Sequence, residues 1–213
     1  MRGNVRRYQV LAVAVVTAGI LVFDQVIKIW VKTHMFLHEA IRVTDWWFIL
    51  FTENNGMAFG MELFDKIFLT LFRVVAVGWL AWYIARLIGR GVSWTFLMCL
   101  TLIMAGAAGN IIDCLFYGLI FNNPAPPMVA DFVPFGSGYG DLFYGRVVDM
   151  FYFPLFGWDW PGWLPVCGGE HFVFFSPIFN FADASISCGV IALLLFCRDG
   201  LAEVLGSGSD YCL

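Results

Sequence analysis

The sequence predicts an all-α membrane domain with a small β element. Four transmembrane helices are expected, with a short sheet between the first and second and a long loop between the third and fourth. Three observations carry this. The 213 residues are 61% hydrophobic and only 13% charged, with mean hydropathy +0.80, where a soluble domain carries about 25% charge. Four stretches supply the roughly 20 mostly apolar residues that a bilayer span needs. Segment 42–51, RVTDWWFILF, is rich in the aromatic and β-branched residues that suit strands. A single domain over residues 1–213 is expected.

The first span is 10–31, VLAVAVVTAGILVFDQVIKIWV. Basic Arg2, Arg6 and Arg7 precede it, as in a secretory signal. It is too long for a signal core, carries Asp24 and Lys28, and lacks a small-residue cleavage site, so a retained helix is expected. The second span is 67–88 and the third 94–116. The fourth is 179–197, with Pro177 just before it as a helix-start signal. Between the last two, 117–177 holds PAPP at 124–127 and GSGYG at 136–140, which reads as loop with short elements.

Lys and Arg placement orients the spans. Arg2, Arg6, Arg7, Arg86, Arg90 and Arg198 fall on one side, which should be cytoplasmic and should hold both termini. Lys32, Arg42, Lys66 and Arg146 fall on the other, in the two outer loops. The formal charge of −4 comes with no basic stripe of the kind that binds nucleic acid. The six cysteines show no CxxC spacing and His34, His38 and His171 are scattered. Neither a metal site nor a cofactor is expected. Cys99, Cys114, Cys188 and Cys197 read as small apolar packing residues in or beside helices.

Asp24, Asp113, Asp149 and Asp183 each lie in or beside an apolar stretch. A carboxylate in a span costs roughly 2.5–3.5 kcal/mol on insertion scales, so these positions call for a use. At about 1.5 Å per residue, Asp24 lies roughly 21 Å and Asp113 roughly 28 Å along helices that start at the cytoplasmic face. Asp183 opens a helix that enters from outside, and Asp149 sits in the outer loop, in the apolar run VVDMFYF. All four therefore share one depth, at the outer boundary of the bilayer. Amides accompany them. Asn110 and Asn180 each precede an Asp by three, on one helix face, and Asn54, Asn55 and Gly56 open a turn-like NNGMAFG. The small run AGAAG at 105–109 lets helices approach closely. Simpler uses stay open here: Asp24 and Lys28 form an i,i+4 ion pair, the amides bond across helices, and Arg73 snorkels outward or neutralises a carboxylate.

At these residues the chain resembles the lipoprotein signal peptidases, or signal peptidase II. FDQVIKIWV (23–31) is similar to that family's Asp-Gln-x-x-Lys motif and NNGMAFG (54–60) to its Asn-x-Gly-Ala-Ala-Phe segment. AGAAGNIID (105–113) resembles Gly-Asn-x-x-Asp, GRVVDMF (145–151) resembles Val-Val-Asp-Phe, and FNFADASIS (179–187) resembles Phe-Asn-x-Ala-Asp-Ser. Five motifs in order cover the chain from about 10 to 198. The long outer loop resembles the version found in Bacteroidota. The pattern departs at Cys114, where the family has Arg, and at Ala184, where it has Ser.

The resemblance implies an aspartic-type intramembrane endopeptidase of the bacterial inner membrane, with its active site at the periplasmic face. Its substrates would be diacylglyceryl-modified prolipoproteins, cut just before the lipidated lipobox cysteine. The catalytic pair falls on Asp149 and Asp183. Asn54, Gly56, Asn110, Asp113 and Asn180 match supporting, substrate-binding positions, and Asp24 and Lys28 structural polar ones. Other expected partners are membrane lipid and cyclic-peptide inhibitors such as globomycin, and the chain should act as a monomer. The outer sheet should cradle the lipobox, with 117–176 as a lid that delivers Asp149 and carries interfacial aromatics such as Phe151, Tyr152, Phe153, Trp158, Trp160 and Trp163. Two close carboxylates suit hydrolysis, because they share a proton and can act as base and acid. The sequence leaves open which is which. A proton-coupled secondary transporter is the alternative. It predicts carboxylates spread through the membrane depth and an inverted repeat.

Overall fold

A computed structural model describes residues 2–54 and 66–197. The Gly56 position and most of NNGMAFG, together with Arg198 and Cys212, lie outside the described residues.

Among the described residues five α-helices and six strands follow one another: α1 (Arg2–His34), β1 (Ala40–Arg42), β2 (Phe48–Asn54), α2 (Lys66–Leu87), α3 (Trp94–Ile112), a π-helical turn (Asp113–Tyr117), α4 (Gly118–Ile120), β3 (Val147–Tyr152), β4 (Phe156–Asp159), β5 (His171–Phe174), β6 (Ile178–Phe179) and α5 (Phe181–Phe196). Three helical stretches, Gly3–His34, Lys66–Leu87 and Trp94–Ile120, are long and apolar enough to cross a membrane. With 16 residues α5 is shorter, about 24 Å long.

Many large apolar side chains face outward while several charged and polar ones are buried. Val15, Val22 and Val26 on α1, Phe72, Val75 and Trp79 on α2, and Leu194, Leu195 and Phe196 on α5 are all exposed. Asp24, Lys28, Thr101, Asp113 and Asn180 are completely buried. Apolar side chains gain nothing by leaving hydrocarbon, whereas charges there must find each other.

Helix starts follow local chemistry. Ser93 caps α3, its hydroxyl accepting the Phe96 N–H at 3.1 Å. Asn180 caps α5 and Asp183 closes a capping box: the Asn180 side chain accepts the Asp183 N–H at 2.9 Å, and the Asp183 carboxylate accepts the Asn180 N–H at 3.2 Å. The three-residue spacing therefore marks a helix start rather than one face of a helix that already includes Asn180. The small run 105–109 does bring helices together. A Cβ added at Gly106 would sit 2.4 Å from the Ala182 carbonyl oxygen on α5, and one at Gly189 would sit 2.8 Å from the Cys99 carbonyl on α3.

The third span continues past 116. The chain widens into a π-helical turn at Asp113, as helices do at functional sites, and stays helical to Ile120. There the Asp113 N–H donates to the Asn110 carbonyl, and the Gly109 carbonyl accepts Gln25 Nε2 at 3.2 Å.

The expected sheet is present but larger than its prediction. Its order is β1-β2-β3-β6, antiparallel throughout, so one of its four strands, β3, comes from the stretch read as a lid and another, β6, from just beyond it. β3 pairs with β2 through Thr52↔Asp149 and Glu53↔Val148. The segment bearing Asp149 is thus a fixed strand and not part of a lid. A register shift between Ile49 and Thr52 gives β2 one extra residue opposite Phe151 and Asp149. Such bulges re-aim side chains next to sites. Lys32 belongs to the last turn of α1 rather than to a loop, and is buried in an ion pair with Glu53. Glu53 also accepts Arg146 Nη1 at 2.9 Å, which pins the chain before β3 onto β2. Beyond β3, β4 and β5 form a separate hairpin lined with paired aromatics, Phe156 stacked on Phe174 and Trp158 tilted against Phe172.

Candidate functional site

The β3–β6 register builds the site. Phe151 pairs with Phe179 and Tyr152 with Ile178. Continued in the antiparallel sense, this register sets Asp149 beside the start of α5. β6 runs straight into the Asn180 cap, and the capping box fixes Asp183 one turn on. One sheet edge and one helix N-terminus therefore bring together two carboxylates that lie 34 positions apart in the sequence.

Two amides join them. Asn180 Nδ2 donates to Asp149 Oδ1 at 2.7 Å and to Asn110 Oδ1 at 3.0 Å. Asn110 Nδ2 donates to Asp183 Oδ1 at 2.7 Å. The Asn54 side chain also bonds Asp149. Behind Asn110 lies a completely buried charge cluster. Lys28 Nζ contacts Asp24 Oδ2 at 2.8 Å, Asp113 Oδ2 at 2.7 Å and Asn110 Oδ1 at 2.8 Å. Gln25 Nε2 reaches Asp113 Oδ1 at 2.8 Å, and the Tyr117 hydroxyl reaches Gln25 Oε1 at 3.1 Å.

All four carboxylates singled out in the sequence thus belong to one hydrogen-bonded network, as their shared depth implied. Asn54, Asn110, Asp113 and Asn180 are in it. Asp24 and Lys28 do form the expected i,i+4 pair, but Lys28 is equally a partner of Asp113. Sequence reasoning missed Gln25 and Tyr117, although Gln25 stands inside the quoted first-helix motif. It also missed the Lys32–Glu53–Arg146 group, for which the only signal was a Glu next to Asn54 in a strand. Arg73 Nη1 comes within 3.8 Å of Cys114 Sγ, so a guanidinium reaches this position from α2.

The two carboxyl groups differ in environment. Asp149 is 4% exposed. Burial, and then the charge of Asp183, push its pKa up to about 7, against the opposing bond from Asn180, the charge of Lys28 and the bond from Asn54. Asp183 is partly exposed. It accepts N–H groups on both oxygens in the first turn of α5, where the helix dipole favours an anion. The arrangement offers one carboxyl whose pKa burial raises to about 7 and a second carboxyl group that water can reach. Among the described residues, no three or more His, Cys, Asp or Glu are grouped to hold a metal ion.

The chain is similar to known proteins. A family model described as signal peptidase (SPase) II matches residues 16–198. A lipoprotein signal peptidase of Porphyromonas gingivalis is 52% identical over 197 residues, covering 92% of this chain and 86% of that protein. One of Amoebophilus asiaticus is 36% identical over 190 residues, covering 86% and 76%. Two solved structures described as bacterial membrane enzymes share the fold. One has a TM-score of 0.58 at 22% identity, covering 88% of this chain and 92% of that one. The other has a TM-score of 0.57 at 20% identity, covering 93% and 90%.

Proposed function

The chain belongs to the signal peptidase II family, and from that premise we propose that Asp149 and Asp183 are its catalytic pair. It is an aspartic-type peptidase of multi-pass membrane architecture that removes the signal peptide from prolipoproteins. Its substrates carry diacylglyceryl on the lipobox cysteine, and cleavage falls just before that cysteine. The observation that supports the pair is the amide bridge running from Asp149 through Asn180 and Asn110 to Asp183. The test is processing of a diacylated prolipoprotein by the purified protein and by its Asp149→Asn and Asp183→Asn variants. The transporter alternative has no support: its carboxylates would be spread in depth, whereas these four form one cluster.

The environments support a division of roles between the two. Asp183, reachable by water, takes a proton from the attacking water as its oxygen bonds to the scissile carbonyl carbon. Asp149 donates a hydrogen bond to the developing oxyanion. As the C–N bond breaks, a proton from the pair passes to the leaving amine. Asn54, Asn110 and Asn180 hold the two carboxyls in place, and Gly56 belongs to the substrate-binding side. The rest of the reading is geometric. With α5 as the fourth span, both termini are cytoplasmic and the sheet lies at the periplasmic face of the inner membrane. The β4–β5 hairpin, with Trp163 79% exposed at its tip, rests at headgroup level, where amphipathic rings are favoured. A lid function passes to this hairpin, since β3 is fixed. The enzyme acts as a monomer, and globomycin-type cyclic peptides occupy the same site.

The pH dependence follows from Asp149. Its pKa is raised, so the proton it needs is present below about pH 7 and lost above. We expect kcat to fall above neutrality, approaching about tenfold per pH unit. A kcat profile flat to pH 9 would remove Asp149 from the acid role.

Asp113 is a neighbour of the reacting groups rather than one of them. Asp113→Asn keeps an oxygen for Lys28 and should lose only about tenfold in kcat, within the range for a lost supporting bond. An inactive Asp113→Asn beside an active Asp149→Asn would put the chemistry on the wrong motif.

A further inference from the structure

Asp24 and Asp113 do more than neutralise a lysine. Asp24 Oδ1 accepts the backbone N–H of Ala182 at 2.9 Å, and Ala182 immediately precedes Asp183. Asp113 Oδ2 faces the backbone N–H of Val148 at 3.4 Å, and Val148 immediately precedes Asp149. Lys28, wholly buried, joins these two carboxylates through its single ammonium group. The same ammonium donates to Asn110 Oδ1. An ammonium has no acceptor, so it fixes which end of the Asn110 amide faces it and leaves the NH2 end for Asp183.

We propose that Lys28 is a positioning residue for the catalytic pair: through Asp24 it holds the backbone before Asp183, and through Asp113 the backbone before Asp149, so that one buried ammonium sets the spacing of the two carboxyls. Lys28 touches neither reacting group. The elements it ties together are strand β3, midway along the outer stretch, and the start of α5, just after it, and the sheet links them only through the two positions paired between β3 and β6. A short sheet contact leaves their relative placement soft. Three charge-assisted contacts buried from water stiffen it. A misplacement on the order of 1 Å costs about a hundredfold in rate, so the rigidity has a kinetic consequence.

A purely structural role would also make Lys28 important, because removing it leaves two carboxylates facing each other in a buried site. Charge balance separates the two. The native trio of Asp24, Lys28 and Asp113 carries a single net negative charge. Lys28→Met alone raises this to two, whereas Lys28→Met with Asp113→Asn returns it to one without restoring the bridge. The readouts are thermal unfolding, kcat and KM for a diacylated prolipoprotein in lipid nanodiscs. In the double variant Tm should recover most of what Lys28→Met loses. Its kcat should stay down about a hundredfold, with KM close to native. Recovery of kcat together with Tm would overturn the proposal, as would a loss carried by KM.

Should Lys28→Met fail to fold in both backgrounds, Asp24→Asn carries the test. It keeps an oxygen for the Ala182 N–H and weakens the contacts that Oδ2 makes with Lys28 and, at 3.3 Å, with Gln25 Nε2. Its kcat should fall about tenfold, at native Tm and KM, and an unchanged kcat would overturn the proposal. The inference rests on Asp149 and Asp183 being the pair. Activity surviving in Asp149→Asn or Asp183→Asn would defeat that reading, and the Lys28 comparison does not touch it.

Discussion

Asp149→Asn and Asp183→Asn should each lower kcat by about 10,000-fold or more, the upper range for removing a general acid or base, while the protein still inserts and folds. Both halves of this expectation have a structural source. Asp149 is buried and its pKa is raised to about 7, so an amide of the same shape matches its protonated form. Asn at 149 can still accept the Asn180 NH2 through its own oxygen. At 183 the substitution removes an anion from the first turn of α5 and weakens a capping box, a cost of about 0.5–2 kcal/mol. The remaining capping contact, Asn180 accepting the backbone N–H of residue 183, does not depend on that side chain. The chemistry has no such tolerance. An amide at 183 cannot take a proton from water, and an amide at 149 has none to give. Because the pair acts as a unit, the double variant should be about as inactive as either single one. The assay is cleavage of a diacylated prolipoprotein, with Tm measured in parallel. Native-like turnover in either variant would remove that residue from the pair.

Much of this site was legible in the chain because membrane burial makes polar residues expensive. Asp24, Asp113, Asn110 and Asp183 stood out against apolar neighbours, and counting residues along each helix put them at one depth. The small residues at 105–109 announced close helix contact, and Gly106 makes it. Other features were hidden for identifiable reasons. Strand β3, VVDMFY, is buried along its first four positions, so it shows no polar alternation and was lost in a stretch dominated by Gly and Pro. β6 has two residues and no pattern of its own, and its pairing exists only because α5 must begin beside β3. Lys32 looked like a loop cation because it follows the apolar run of α1. Its burial depends on Glu53 arriving from β2, with the rings of Phe51, Phe121 and Tyr139 around it. Lys28 had a partner within its own helix, which concealed the more consequential one at Asp113. In each case the missing information was a contact between distant segments, which periodicity does not encode.

Gly106→Ala should damage turnover more than it damages stability. The added Cβ would lie 2.4 Å from the Ala182 carbonyl oxygen and 2.8 Å from Ile186 Cγ1. A side chain can rotate away, but a backbone carbonyl in the first turn of α5 cannot, so α3 and α5 must separate there. That turn carries Asp183, and the Ala182 N–H is held by Asp24. Separation therefore moves one carboxyl of the pair while β3, anchored to β2, keeps the other where it was. Overpacking of this kind costs about 1–3 kcal/mol in stability. A displacement on the order of 1 Å between reacting groups costs about a hundredfold in kcat. The rate loss should therefore exceed what the drop in folded fraction explains at an assay temperature well below Tm. Gly78→Ala on α2 is the matched control, since a Cβ there meets nothing within 4 Å, and it should leave both kcat and Tm unchanged. If Gly106→Ala turned over like the Gly78 variant, the contact between α3 and the start of α5 would not set the position of Asp183, and the spacing of the pair would have to be governed from the sheet side alone.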